Sequence, residues 1–321
     1  MCTALHLCDG CHLFGRTLDF AHSFGEQGVI TPRRYNLPFA DPIAYSIIGI
    51  GRVEDKTPLY FDAMNECGLA MAALHFPRSA VYRPPVEGMY NLPSYALMGW
   101  ALGHCATLTE AVAALGRVNV TGESISRDLP ATPLHWMLAD RSGAAVIESV
   151  ASGLRIYENP YGVLTNEPTF PHQLTRLCDY AHLCASTPVN RLAPHLPLVP
   201  CSGGTSALGL PGDFSSPSRF VRAFYAKEQS RADAGAEEQV RRFFHVMHTV
   251  QVPRGCAVSP EGEVRTLYTS CADTDSLTYY VTTYGSGRLR SFSLGAYGGA
   301  EDLTVFSFDE TEIPSPLSPS P

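Results

Sequence analysis

Residues 1–20 read MCTALHLCDGCHLFGRTLDF, and the rest of the chain is organised around this stretch. A cysteine follows the initiator methionine directly. Removal of Met1, which so small a neighbouring side chain permits, leaves one residue carrying both a thiol and a free α-amine. Nucleophile and base then share one Cα. A terminal amine titrates near ~8, suits proton transfer at neutral pH and is among the bases that activate covalent nucleophiles. Around Asp9-Gly10 the stretch also reads as a hairpin, with strands from Thr3 to Leu7 and from Cys11 to Arg16. An edge strand that merely begins Met-Cys-Thr would explain Cys2 as a small buried apolar side chain, so context elsewhere must decide.

Beyond the hairpin, Tyr45 to Ile50, Leu59 to Met64 and Leu69 to Leu74 predict short apolar strands, broken by Gly49, Gly51, Pro58, Asn65 and Gly68. Between Pro93 and Arg117 the period changes to helical. Two helices fit there, the second opened by a Thr107-x-x-Glu110 capping box. Strands return in PLHWMLAD, AAVIESV, LRIYE and GVLTN, as in an antiparallel meander. A helix is expected from about His172 to Leu183, then an irregular loop from Ala193 to Ser216 whose length suggests function or assembly. Helices follow behind Pro217 and over Glu237 to Val250, and three strands, VRTLYTSCAD, SLTYYVTTYG and LRSFSL, close the pattern. This order argues for antiparallel sheets covered by helices, not a Rossmann-type parallel sheet. Gly203-Gly204 and Gly209-x-x-Gly212 lack the Lys-Ser/Thr of a phosphate loop and read as turns.

The 321 residues are 45% hydrophobic and 17% charged, an ordinary globular composition with enough apolar surface for a sizeable core. With 23 Lys plus Arg against 31 Asp plus Glu, the formal charge is −8, and no basic run invites nucleic acid. No signal-peptide pattern and no membrane-length apolar stretch are present, so a cytoplasmic location is expected. The ten cysteines are scattered and read as mostly reduced. Cys8-x-x-Cys11, flanked by His6 and His12, could be half of a zinc site, but no second pair stands at ligand spacing; neither metal nor cofactor is expected.

The segments MCTAL, LFGRTLD, DAMNECGLAMAALHFP, TPLHWMLAD, GVLTNEPTF, GLPGDFSSPSRFVRAF and LYTSC occur in an order that resembles the choloylglycine hydrolase family, the N-terminal-nucleophile amidases that include bile salt hydrolases and penicillin V acylases. The resemblance runs over nearly the whole chain. It implies an α+β fold, a four-layer αββα N-terminal-nucleophile hydrolase sandwich with antiparallel sheets. It also implies removal of Met1, homotetramers with exchanged loops and hydrolysis of an N-acyl amino acid or sulfonate amide. Residues 1–310 would then be one amidase domain and 311–321 a mobile Pro/Ser tail.

Carried over residue by residue, Cys2 resembles the family nucleophile. Arg16 and Asp19 resemble the charged pair beside it: a guanidinium favours thiolate and a carboxylate orients the terminal amine. Asn166 matches a residue whose amide helps bind the oxyanion. Arg219, which would otherwise be an unremarkable first-turn arginine, matches the last charged member of the site. His75, in LHFP, stands where the family has Asn or Tyr, as a second oxyanion or substrate contact able to donate one hydrogen bond while neutral. Phe24, Leu59, Phe61 and Leu129 lie in segments that the resemblance assigns to the substrate pocket.

The implied activity is deconjugation of glycine- or taurine-conjugated bile salts through an acyl-thioester, on a small-molecule amide substrate. A penicillin V or N-acyl-homoserine-lactone acylase would use the same centre. A silent binder keeping the fold, encouraged by His75, and a structural zinc protein built on Cys8 and Cys11 are the readings from other classes.

Overall fold

Asp9-Gly10 turns the chain through a glycine at φ +82°, and β1 (Cys2–Asp9) and β2 (Cys11–Phe20) pair antiparallel from Cys2↔Leu18 to Asp9↔Cys11. In this computed structural model, which describes residues 1–126, 130–232, 234–297 and 299–308, the hairpin lies inside the molecule. The expected tail, 311–321, lies outside the described residues, as does Leu129. Both hairpin strands run longer than their apolar cores suggested. Burial of both faces, with Arg16, Thr17 and Asp19 among the buried residues, continues the ladder to Phe20.

The chain continues through β3 (Gln27–Thr31), β4 (Ile47–Glu54), β5 (Thr57–Asn65), β6 (Ala70–His75) and β7 (Tyr90–Pro93), then α1 (Leu97–His104) and α2 (Leu108–Leu115). Next come β8 (Val118–Thr121), β9 (Leu134–Asp140), β10 (Gly143–Val150), β11 (Gly153–Glu158) and β12 (Val163–Leu164). α3 (Phe170–Leu177), α4 (Ser216–Gln229) and α5 (Ala236–His248) precede β13 (Ala257–Ser259), β14 (Gly262–Asp273), β15 (Thr278–Thr283), β16 (Ser286–Ser293) and β17 (Thr304–Ser307). One sheet has the order β12-β1-β2-β14-β15-β16, with β13 on β14; the other is β11-β10-β9-β6-β5-β4-β3-β17. Among the described residues every pairing within these two sheets is antiparallel, and only the small β7–β8 ribbon is parallel.

Two apolar interfaces define the layers. Helices α4 and α5 cover β1, β2 and β14, while α1 and α2 cover the outer face of the second sheet, against β4 to β6 and β9 to β10. Between the sheets, Phe14, Ile48, Ile50, Met64, Ala72, Leu74 and Met137 share one cluster. On the outer face, Trp136, Leu138, Ala63 and Met71 pack with Leu97, Ala101 and Leu115 in another. The order helix, sheet, sheet, helix is the four-layer αββα sandwich that the resemblance implied.

Several expectations shift. Gly49 and Gly51 do not break β4 but lie inside it, because β5 approaches too closely for a side chain: a Cβ on Gly51 would stand 2.4 Å from the Leu59 carbonyl oxygen. The helix expected over 172–183 begins at Phe170, with Pro171 in its first turn, and tightens into a 3-10 turn at Cys178–Tyr180. The capping box is skewed by one residue at its return arm. Thr107 Oγ1 accepts from the Glu110 N–H at 3.2 Å, and Glu110 Oε2 accepts from Ala106 instead of Thr107. Strands β3, β7, β8, β13 and β17 were not foreseen, being three to five residues long with weak alternation.

Candidate active site

Arg16 and Asp19 are three residues apart on β2, and an odd spacing on a strand puts them on opposite faces. Arg16 points between the sheets. Its Nη1 donates to the carbonyls of Ala73 and, at 3.1 Å, of Phe61 on the facing sheet. Asp19 points toward the helix layer, where Arg219 Nη1 stands 3.9 Å from its Oδ2. The two are not paired with each other; Cys2 sits at the end of the strand between them and is 1% exposed. Gly15, in the same FGRTLD segment, lets β14 close on β2: a Cβ there would stand 2.1 Å from the Ser270 carbonyl oxygen.

Cys2 is held mainly through its backbone. Its N–H donates to Asn166 Oδ1 at 2.7 Å, and its carbonyl accepts from Arg219 Nη1 at 2.5 Å. The same guanidinium reaches Thr3 Oγ1 at 2.6 Å, Asn166 Oδ1 at 2.8 Å and, through Nε, the Phe214 carbonyl at 3.0 Å. Two donors therefore converge on one Asn166 atom, which must be the oxygen, since a flipped amide would set N–H against N–H. Asn166 Nδ2 then donates to the His75 carbonyl at 2.8 Å, leaving its second hydrogen without a partner among the described residues. Met1 closes the ladder: its amine donates to the Asp19 carbonyl and its own carbonyl accepts from the Asp19 N–H at 2.9 Å.

The electrostatics follow burial. Burial works against the Arg16 charge, but Cys2, Tyr268, Asp62 and Asp19 outweigh it and raise its pKa. Arg16 Nη2 is a buried donor without a partner among the described residues. Arg219 moves the other way, because desolvation exceeds the help of Asp19 and Cys2. Asp62, fully buried, has its pKa raised by desolvation, against the pull of Arg16 and hydrogen bonds from Tyr268 (2.5 Å), Ser270 (2.7 Å) and Tyr279 (3.0 Å).

Two bulges aim these groups. On β5 the register steps from Ile50↔Asp62 to Gly51↔Tyr60, leaving Phe61 unpaired, so Phe61 and Asp62 both face inward. On β14 it steps from Thr266↔Asp19 to Tyr268↔Leu18, and Thr266 Oγ1 donates to Asp19 Oδ1 at 2.7 Å. Sequence reading missed Asp62, Thr3, Ser216 and Thr266. Asp62 carried a signal: a lone carboxylate inside an apolar strand needs partners when buried. Ser216, whose hydroxyl accepts from the Asn166 N–H at 2.8 Å, carried none.

Around this centre lies an aromatic rim. Phe24 is 4.8 Å from Phe20 and 5.9 Å from Phe61, ring to ring, and His75 is 5.7 Å from Phe20. The His75 ring is thus among the rim aromatics while its carbonyl serves Asn166; burial, then the terminal amine, lowers its pKa. Leu59 is buried two residues before Phe61. Cavities of about 300 Å³ beside His248 and Thr282, and of about 400 Å³ beside Leu174 and Phe224, are not lined by Cys2, Arg16, Asn166 or Arg219.

Cys8 is exposed and Cys11 buried, its thiol pushed up to about 11 by burial first and Asp273 next. Among the described residues no group of three or more His, Cys, Asp or Glu is arranged for a metal ion. No helix among them is long and apolar enough to cross a membrane.

The profile of the linear amide C–N hydrolases, choloylglycine hydrolase family, matches residues 2–301. The chain is 40% identical over 299 residues to a bile salt hydrolase/transferase of Lactiplantibacillus plantarum, covering 92% of each chain. The crystal structure of the C2A mutant of the conjugated bile acid hydrolase from Clostridium perfringens superposes with a TM-score of 0.90 at 30% identity, over 99% of this chain and 100% of that one. The penicillin V acylase of Agrobacterium tumefaciens, at 21% identity and a TM-score of 0.74 over 95% of this chain and 90% of that one, shares the fold.

Proposed function

Because the chain belongs to the choloylglycine hydrolase family, and so hydrolyses linear amide C–N bonds, we propose that its substrates are conjugated bile salts and that mature Cys2 is the nucleophile. The observation that carries the nucleophile is the 2.7 Å hydrogen bond from the Cys2 nitrogen to an Asn166 oxygen whose orientation Arg219 fixes, while the substrate class rests on the 40% identity to a bile salt hydrolase/transferase. Once Met1 is removed, that nitrogen becomes the α-amine, already held beside its own thiol.

The thiol proton passes to the α-amine, and the thiolate, favoured by Arg16, attacks the amide carbonyl. The developing oxyanion is met by the second Asn166 Nδ2–H. As the C–N bond breaks, the α-ammonium protonates the departing glycine or taurine nitrogen, leaving an acyl-thioester on Cys2. Water, deprotonated by the same amine, then releases the bile acid and restores the thiol. Asp19 stands beside Arg219, and Phe20, Phe24, Phe61 and the His75 ring supply an apolar rim suited to a steroid. In the same reading residues 1–310 form one amidase domain. Exposed Val189, Leu192, Val199 and Leu208, in the long loop before α4, support its assembly as a homotetramer.

The test is turnover of glycocholate, taurocholate, phenoxymethylpenicillin and an N-acyl-homoserine lactone by protein whose mature N-terminus is confirmed by mass. Glycocholate or taurocholate should be cleaved fastest, and Cys2→Ala should be inert while folded. Preference for the penicillin or the lactone would reassign the substrate; activity in Cys2→Ala would remove the nucleophile.

A further inference from the structure

His135 on β9 and Glu148 on β10 are both 0% exposed, and among the described residues their hydrogen bonds go to each other, Thr165 and Phe170 and not to Cys2, Arg16 or Arg219. The strand register pairs Ile147 with Trp136, so the next step brings Glu148 opposite His135, and Glu148 Oε1 is 3.3 Å from His135 Nδ1. His135 Nε2 stands 2.7 Å from the Thr165 carbonyl. A carbonyl only accepts, so Nε2 carries a hydrogen and donates it to the peptide that immediately precedes Asn166; a second hydrogen lies between Nδ1 and Glu148 Oε1, since two lone pairs would repel there. Glu148 Oε1 also accepts from the Phe170 N–H at 2.9 Å, anchoring the far end of the segment that follows Asn166.

The imidazole has a second contact with the same centre. Its ring stacks on Phe76 at 4.1 Å, with 6° between the planes. Phe76 directly follows His75, whose carbonyl receives Asn166 Nδ2. One side chain thus braces both the peptide that carries Asn166 and the strand end that receives its amide. A hydrophobic side chain of similar size would fill the volume without burying a polar pair, which is costly even when well bonded.

We propose that His135, oriented by Glu148, is a positioning residue for Asn166, fixing the amide against Cys2 and the reacting carbonyl. This rests on the reading of Cys2 as nucleophile and Asn166 as its partner. Side chains in a reactive site must be held to within about half an ångström, and a misplacement of about 1 Å can cost roughly a hundredfold in rate.

The experiment measures single-turnover acylation of Cys2 by glycocholate, followed by mass spectrometry, in wild type, His135→Phe, His135→Gln, Glu148→Gln, Asn166→Ala and the double variant His135→Phe with Asn166→Ala. His135→Phe should slow acylation about ten- to a hundredfold, with KM within about twofold and with the rate of Cys2 alkylation by iodoacetamide unchanged, since Arg16 is untouched. His135→Gln, whose Nε2 can still reach the Thr165 carbonyl, should recover most of the rate. Glu148→Gln, isosteric and tolerable even if Phe is not, should lose about three- to tenfold. In the Asn166→Ala background, loss of the His135 donor should cost less than about twofold more.

Acylation of His135→Phe or Glu148→Gln at the wild-type rate overturns the proposal while leaving the nucleophile intact. Fully multiplicative losses in the double variant also overturn it, because they would mean general loosening and not action through Asn166. A wild-type enzyme that turns over without an acyl adduct on Cys2 overturns the nucleophile and the positioning role together.

Discussion

Lowering the pH from about 7.5 to about 5 should remove about 4 kcal/mol of stability through two histidines inside the N-terminal hairpin. His6 and His12 are 7% and 1% exposed, their rings meet edge to face at 4.9 Å, and the Nε2 of each is buried without a partner among the described residues. Burial is the largest cause that lowers the His6 pKa to about 3, with His12 next, and burial also lowers His12 to about 4 against the opposing pull of Asp275 and Asp140. Both are ordinary, near ~6.5, when unfolded. The folded pair is therefore neutral and its stability is fully present above about pH 6.5. It is lost as the pH falls from there toward the folded values, because the unfolded chain binds protons that the folded one refuses. At about pH 5 each histidine is about 1.5 pH units below its unfolded pKa and still mostly neutral when folded, which costs about 2 kcal/mol apiece. Against a typical stability of about 5–15 kcal/mol that is a large fraction. Urea unfolding followed by circular dichroism between about pH 5 and pH 7 measures it, in a window where ordinary carboxylates contribute little and buried Asp62, raised by desolvation, acts with the opposite sign. His75 and His248, also lowered, act with the same sign, so the decisive comparison is His6→Phe with His12→Phe in one chain. Its pH dependence should shrink by about two protons; a slope equal to that of wild type would refute the reasoning.

An uncleavable N-terminal extension should reduce turnover by at least about a hundredfold relative to a C-terminal tag, because it turns the Cys2 amine into a non-basic amide while leaving the thiol in its site; equal rates would show the amine to be dispensable. His75→Ala should raise KM for glycocholate about two- to tenfold with kcat within about threefold, since the backbone carbonyl that holds Asn166 survives the substitution. A hundredfold loss of kcat at unchanged KM would instead make the ring an oxyanion donor.

What the sequence determined by itself is what short separations encode. A cysteine next to the initiator, an Asp-Gly turn between alternating apolar residues, and Thr107 three residues before Glu110 act within a few residues, and each appears where expected but for the capping box's return arm, which lands one residue early on Ala106. The motifs in family order singled out Cys2, Arg16, Asp19, Asn166 and Arg219 as candidates, and the fold brings all five to one end of β1 and β2. What joins them was not legible. Asn166 reaches Cys2 across 164 positions and Arg219 reaches Thr3 across 216, contacts that exist only because β12 pairs with β1 and α4 packs over it. That Gly51 admits a bulge instead of ending a strand, that the bulge turns Asp62 toward Arg16, and that His135 meets Thr165 depend on how closely two sheets approach. Local propensity sets which residues can form a strand or a cap. Which carbonyl a buried donor finds is decided only when distant elements meet, because that partner is chosen by three-dimensional packing and leaves no periodic trace along the chain.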